Sequence, residues 1–398
     1  MLKGKTVVLG VTGSIAAYKI ASLASMLVKK HASVHVIMTK NACNFINPIT
    51  FETLTGNKCL VDTFDRNFQF NVEHVSLAKM ADIFLVAPAS ADVIGKIANG
   101  IADDMLTTTI MAGKCPKLIS PAMNTNMFTN PIVQDNLKKL EHYGYEIIQP
   151  DSGYLACGDT GAGKMPSEQV LLNYILRTIA KDKDMAGIKL TVTAGPTREK
   201  LDPVRFLSNN STGKMGYAIA KMAMLRGAEV TLISGKVSLE PVPFVKMVDI
   251  VSAEDMYEAV TESAKDADII IKAAAVADYR PSNVSDEKIK KKDGDMSIPL
   301  ERTKDIIGTL GSNKKDGLFL CGFSMETEHM LENSKAKLEK KNLDMIVANN
   351  VKVAGAGFGT DTNVVTVITK DAVEELPIMS KEEVADALLD RIMKARGK

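Results

Sequence analysis

Two short apolar runs, each opened by Ala-Asp, constrain this chain more than any other feature. They are ADIFLVAPAS (81–90) and ADIIIKAAAV (267–276). Neither alternates apolar with polar residues, and both close in small side chains. A short run without a polar face belongs to a strand covered on both sides, as in a parallel sheet. The two runs also hold matching places in a plan that the chain follows twice. The first half opens with TVVLGV (6–11), a TGS turn, a helical pattern to about Lys30 and the run SVHVIMT (33–39). The second opens with KLTVTA (189–194), GPTRE, the helical pattern MGYAIAKMAMLRG (215–227) and EVTLISG (229–235).

Strands alternating with helices in this way predict an α/β class with two Rossmann-like domains, each built on a parallel sheet. A length of 398 residues exceeds one ordinary core and agrees with two domains. The charged stretch AKDKDMAG (180–187) separates them. We expect a first domain over 1–180, a linker over 181–188 and a second domain over 189–398. The 49 basic and 48 acidic residues leave no strong field to attract nucleic acid or anionic lipid. Five Cys, an odd number with no CxxC pair, do not suggest a disulfide framework. A reducing, cytoplasmic setting is expected. The apolar start is interrupted by Thr12-Gly13-Ser14, unlike a secretion signal. No run of eighteen apolar residues predicts a membrane span.

In parallel sheets ligands collect at the carboxyl ends of the strands. The loops there are therefore the places to look for chemistry. GVTGSIAAYK lacks the third Gly of a dinucleotide fingerprint, and Thr39-Lys40 stand where an acidic residue would end the second strand. A nicotinamide cofactor is not supported. Ser14 is expected as a helix N-cap, where backbone N–H groups can hold a phosphate. GDTGAGKM (158–165) fits a phosphate-binding loop up to Met165, where a Ser or Thr should ligate Mg²⁺. The preceding DSGYLAC is no buried strand. His74 lies at the start of a helical pattern, and Asn124 follows the strand CPKLI in a Pro-, Met- and Asn-rich loop. Taken singly, each has an ordinary explanation as a cap or surface residue.

Taken together, the first half resembles the flavin-containing cysteine decarboxylases, and within them the phosphopantothenoylcysteine decarboxylases. The resemblance rests on GSIAAYK, EHVSLAKMAD, APASAD, GIADDMLTTT, PAMN and ACGDTGAGKM, in that order across residues 5–180. It implies an FMN cofactor near Gly13 and Ser14, with Thr39, Ser90 and Thr107 as further contacts. It implies His74 as the base for a substrate thiol and Asn124 as a donor to the substrate carboxylate or amide. Cys157 would be an acid carried on a glycine-hinged flap, so the glycine-rich stretch is read as that flap and not as a nucleotide loop. The chemistry suits these types. Loss of CO₂ from a cysteine amide needs an electron sink, which oxidation of the thiol creates. The resemblance also implies trimers with flavin sites between subunits.

In the second half, TAGPTREKLDPVRFLSNNSTGKMG (193–216) and AAAVADYRPSNVSDEKIKKKDGD (273–295) are long loops leaving strands. The second ends in a Lys cluster, where a triphosphate would need counter-charge. AGPTRE, DPVRFLSN, STGKMG, AAAVADYR, KIKK and KNLDMIVAN resemble the phosphopantothenate–cysteine ligases over about 188–398. That resemblance implies CTP as co-substrate and an acyl-cytidylate intermediate. Lys288 would neutralise the triphosphate, Asp278 would contact Mg²⁺, and Asn209 and Arg205 would act on the acyl-cytidylate. Ala273, Ala274, Ala275, Asp305, Ile306, Ile307, Gly308, Phe323, Lys337 and Lys341 carry over as CTP contacts. Dimeric ligase contacts near STGKMG, combined with decarboxylase trimers, imply a dodecamer. A two-domain NAD(P)-dependent oxidoreductase and a non-catalytic flavoprotein-like regulatory module are the alternatives. The missing glycine fingerprint speaks against the first, and the retained His74, Asn124 and Cys157 against the second.

Overall fold

The computed structural model describes residues 1–64, 73–155, 158–291, 296–325, 330–349, 357 and 359–397. The chain divides into two compact units, Met1–Lys181 and Asp182–Lys398.

In the first unit the apolar runs become strands and the amphipathic patterns become helices. The order is β1 (Thr6–Val11), α1 (Ala17–Lys29), β2 (Ser33–Met38), α2 (Pro48–Thr55), α3 (Glu73–Met80) and β3 (Ile83–Ala89). Then follow α4 (Ala91–Ala98), α5 (Met105–Ala112), β4 (Lys117–Pro121), α6 (Thr125–Phe128), α7 (Pro131–His142) and β5 (Glu146–Ile147). A hairpin of β6 (Asp151–Tyr154) and β7 (Thr160–Lys164) precedes α8 (Glu168–Ile179). The main sheet runs β2-β1-β3-β4-β5, parallel throughout. All seven residues of β3 are buried, which is why that run carries no polar alternation. The strand order reverses between β1 and β3. Connections on either side of such a point turn apart and leave a crevice.

The second unit repeats the device. It contains β8 (Lys189–Ala194), β9 (Arg198–Lys200), β10 (Phe206–Ser208), α9 (Lys214–Leu225), β11 (Glu229–Ser234), β12 (Lys246–Asp249), α10 (Ala253–Ala264) and β13 (Ile269–Lys272). It continues with β14 (Tyr279–Pro281), β15 (Leu300–Arg302), α11 (Ile306–Ser312), β16 (Phe319–Met325), α12 (Met330–Lys340) and β17 (Met345–Asn349). It closes with β18 (Thr362–Asn363), β19 (Val365–Thr369), β20 (Val373–Glu375), β21 (Met379–Ser380) and α13 (Lys381–Ala395). The main sheet runs β12-β11-β8-β13-β16-β17-β19-β20. It is parallel as far as β17, but β19 and β20 pair antiparallel at one edge. The expected parallel sheet thus has a mixed edge, because β19 and β20 follow one another with only a short turn and no crossover helix between them.

The segment expected as a linker is packed. Met185 is fully buried, and Asp184 pairs with Arg226, whose side chain is only 7% exposed. Arg226 also meets Asp390 at 2.6 Å and Asp386 at 3.4 Å, both on α13.

At the reversal between β8 and β13 the turn after β8 is held by backbone contacts. Ala275 N donates to Gly195 O at 3.0 Å, and Thr197 N donates to Ala275 O at 3.3 Å. On the other side of this turn stands Gly235, where a Cβ would lie 1.9 Å from Pro196 O. Only a glycine leaves room there. Gly235→Ala is expected to destabilise the protein by about 1–3 kcal/mol, as overpacking against rigid backbone does. Chemical denaturation of the variant tests this, and an unchanged midpoint would contradict the close approach.

Candidate active sites

Both reversals gather polar residues that are far apart in the chain. In the first unit Thr12 spans the crevice. Its fully buried hydroxyl donates to Pro88 O at 2.7 Å and accepts from Ser90 N at 2.9 Å. This fixes Ser90, which caps α4 by accepting from Val93 N at 3.4 Å. Ser14 differs from its expected place. The N-cap of α1 is Ala16, and the Ser14 hydroxyl accepts from Ala16 N at 3.4 Å across an extra turn. The reason is local: Ser14 O takes the Ala17 N–H before the helix begins.

Asn124 is the N-cap of α6, accepting from Met127 N at 3.0 Å. Its Nδ2 donates to Asp159 at 3.5 Å, on the hairpin connection between β6 and β7. The glycine-rich stretch forms this hairpin and not a loop opening a helix. Strand β7 lies against the loop before α6: Met123 N donates to Gly163 O at 3.0 Å. Gly163 has φ +127°, and a Cβ there would meet Met123 O at 2.3 Å. Ser14, Lys19, Met123, Asn124 and Tyr154 line one groove. Ile15, Leu155 and Met165 give it an apolar wall.

Other expected residues stand apart from this groove. His74 is half-buried in the first turn of α3. Thr39 accepts from Ala42 N at 3.2 Å. Thr107 is closed into a capping box with Asp104 and is 1% exposed. Cys157 lies outside the described residues. Cys43, Cys59, Cys115 and Cys321 are free thiols.

In the second unit Ala273, Ala274, Ala275 and Phe323 line one pocket. Asn209 reaches its rim, donating to Ala275 O at 3.0 Å. Two cations that sequence reading did not single out share this pocket, Lys214 and Lys381. Lys214 donates to Asp361 at 2.7 Å, and Lys381 to Gly357 O at 3.0 Å. Burial, and after it the charge of Lys214, pushes the Lys381 ammonium pKa down. Lys214 lies inside STGKMG and could have been found there. Lys381 sits far along the chain, with no local signal.

Next to this pocket, Asp305 caps α11 by accepting from Gly308 N at 3.0 Å and pairs with Lys341 at 3.1 Å. Burial would raise the Asp305 pKa, but the Gly308 amide and Lys341 outweigh it and hold the carboxyl low. Lys272, at the end of β13, is in electrostatic reach of Lys341, Asp305, Asp278 and Lys337. Its ammonium pKa is lowered, first by burial and then by Lys341. Lys272 was also missed, because it ends a run that reads as plain core. Asp278 and Lys288 are exposed. Among the described residues no three acidic, His or Cys side chains converge on a point. A divalent ion here would therefore need oxygen ligands from substrate phosphates as well as protein.

Arg205 donates through Nε and Nη2 to Asp202, at 2.9 and 2.5 Å. That bonding, reinforced by backbone amides, holds the Asp202 carboxyl far below the usual carboxylate range. Among the described residues no helix is long and apolar enough to cross a membrane.

Two protein-family models match the chain: Flavoprotein over residues 1–180, and DNA/pantothenate metabolism flavoprotein C-terminal domain over 185–395. The coenzyme A biosynthesis bifunctional protein CoaBC of Bacillus subtilis (strain 168) is 48% identical over 396 residues, covering 98% of this chain and 97% of that protein. The proteins of the same name from Vibrio cholerae and Haemophilus influenzae are 42% and 41% identical, each covering 98% of this chain and 98% of that protein.

The hydroxyl of Thr12 gives a direct test of the first reversal. Thr12→Val keeps the shape but leaves Pro88 O and Ser90 N without their buried partner. A loss of about 1–3 kcal/mol is expected, read by chemical denaturation, with Thr12→Ser close to the parent. Equal stability of the Val variant would show that the bridge contributes nothing.

Proposed function

Because this chain belongs to the family of coenzyme A biosynthesis bifunctional proteins, enzymes with decarboxylase and ligase activities, we propose a division of the chemistry between its two units. The second unit joins cysteine to 4′-phosphopantothenate at the expense of CTP, through an acyl-cytidylate. The first unit then decarboxylates 4′-phosphopantothenoylcysteine to 4′-phosphopantetheine with FMN. The observation that carries the reading is the gathering of expected site residues at the carboxyl-end side of the two parallel sheets, at and beside the strand-order reversals. Ser14 and Asn124 share one groove, and Ala273–Ala275 and Phe323 share one pocket.

The residues of the first groove fit a flavin. Ile15, Leu155 and Met165 offer an apolar wall for a flat ring, and Ser14 and Lys19 offer a hydroxyl and a cation for a phosphate. When bound, FMN supplies a two-electron acceptor for the substrate thiol. His74 takes the thiol proton, a task suited to imidazole near neutral pH. Asn124 has Nδ2 to offer the substrate while its carbonyl oxygen caps α6. An apolar wall keeps the carboxylate poorly solvated, which favours its departure as CO₂. Cys157 donates a proton in the final reduction. His74 is not part of the Ser14–Asn124 groove, which favours a site completed by a neighbouring subunit. A trimeric first unit, and with dimeric second units a dodecamer, follows from that reading.

In the second unit a carboxylate must become an acyl donor. Attack of the pantothenate carboxylate on the α-phosphate of CTP releases pyrophosphate and leaves a mixed anhydride, which the cysteine amine then opens. Ala273–Ala275 let the nucleotide approach the backbone, with Phe323 beside them. The amides of Ile306, Ile307 and Gly308 stand at the start of α11. Lys337 and Lys341 add positive charge there, and Lys288 offsets charge on the leaving pyrophosphate. Asp278 holds Mg²⁺ together with the phosphates. Asn209, anchored on Ala275, serves the acyl-cytidylate, as does Arg205. On this reading the protein is a cytoplasmic enzyme of small-molecule substrates.

Supplying CTP, Mg²⁺, cysteine and 4′-phosphopantothenate while following CO₂ and pyrophosphate tests the whole scheme. Cys157→Ser is expected to keep pyrophosphate release but to stall after decarboxylation, with about one CO₂ released per flavin and no phosphopantetheine; equal loss of all three signals would refute the split. Lys288→Gln is expected to abolish pyrophosphate release while supplied phosphopantothenoylcysteine is still decarboxylated. Loss of decarboxylation as well would contradict the assignment.

A further inference from the structure

We propose that Asp202 is a positioning residue of the ligase site, holding Lys288 in place through the backbone of its neighbour Ile289. The proposal rests on the ligase reading of the second unit and adds a residue to it.

The Asp202 side chain is 0% exposed. Its two oxygens do different things. Oδ1 closes its own turn, accepting from Val204 N and Arg205 N, both at 2.8 Å. Oδ2 reaches 87 positions along the chain to accept from Ile289 N at 3.1 Å. It also takes the Arg205 guanidinium, through Nε at 2.9 Å and Nη2 at 2.5 Å. Arg205 Nη2 completes the grip by donating to Ile289 O at 2.8 Å. The amide and the carbonyl of Ile289 are thus both held by one ion pair. A second tie runs parallel, from Ser285 N to Leu201 O at 3.0 Å.

A turn of this kind needs only Oδ1, so a purely local role leaves the long-range bond of Oδ2, and that of Arg205 Nη2 beside it, without a reason. The segment they hold has no helix or strand of its own over 282–291 and carries Lys288, Lys290 and Lys291. Asp286 and Glu287 precede these lysines, and a coil so rich in charge has little apolar packing to hold it in place. Pinning Ile289 fixes the Cα of Lys288 next to it, so its exposed side chain starts from a defined point. Aspartate is the residue that fits. Asn would turn an N–H or a neutral oxygen toward groups that require an anion, and Glu would place its oxygens a methylene too far. The same carboxylate orients Arg205, so the two cations of the site share one anchor.

Single-turnover pyrophosphate release from CTP and 4′-phosphopantothenate, with cysteine omitted, reads the step that Lys288 serves. Asp202→Asn is expected to slow it about ten- to a hundredfold, the scale on which misplacement of a catalytic group acts. Amide hydrogen exchange should rise at Ile289 and Ser285 and stay parental in β8 and β13. Arg205→Lys keeps a charge beside Asp202 but loses the forked bond to Ile289 O. It should show the same rise at Ile289 with a smaller loss of rate. A rate for Asp202→Asn within about twofold of the parent overturns the proposal. So does a slower rate accompanied by faster exchange throughout β8 and β13, which marks unfolding. A parent protein that releases no pyrophosphate refutes the ligase reading and the role of Lys288 with it, a failure visible before any variant is made.

Discussion

Where strand order reverses, two chain ends leave the sheet side by side and their ladders stop. Their backbone groups must then be satisfied by each other, because buried N–H and C=O groups are not left alone. In the first unit one threonine hydroxyl does this, linking the exits of β1 and β3. In the second unit the exits of β8 and β13 bond directly, Gly195 and Thr197 to Ala275. The rest of each site hangs on these bridges. Ser90 caps its helix from one of them, and Asn209 takes Ala275 O from the other. Both bridges are small and local, yet they set where the residues around them begin.

Charge is distributed by the same logic. Basic and acidic residues nearly cancel over the whole chain. Locally they do not. Lys272 at the end of β13 meets Lys337 and Lys341 of α12 and its C-terminal turn, and Lys214 and Lys381 share another place. Burial first, and then a neighbouring cation, lowers the pKa of Lys272 and of Lys381. An anionic ligand relieves that repulsion. Net charge is silent on such an arrangement because it sums over residues that never meet.

Much of the fold was legible because burial on both faces leaves a continuous apolar run, and β8 falls on KLTVTA as read. The mixed edge was not, since β19 is a short buried apolar run like the parallel strands and β20 is three exposed residues, and neither pattern reveals direction. Ser14 was misplaced by one turn because a Ser near a helix start has the same local signature whether it caps the helix or the turn before it. Family motifs found Ala273–Ala275 and Phe323 together. They could not find Lys272, hidden at the end of an apolar strand; Asp202 opens DPVRFLSN, but the motif does not show its partner 87 positions away. Side chains that work on the backbone of a distant loop leave no periodic trace.

The Arg226 cluster bears on where the second unit can be cut. A fragment started at the first sheet residue, Lys189, would look complete by strand count. It would lack Asp184 and Met185, stripping a carboxylate from a guanidinium that is 7% exposed and opening the site of a fully buried methionine. The charged stretch that reads as a linker in composition is in this respect the first packed layer of the unit behind it, and an excised second unit has to carry it.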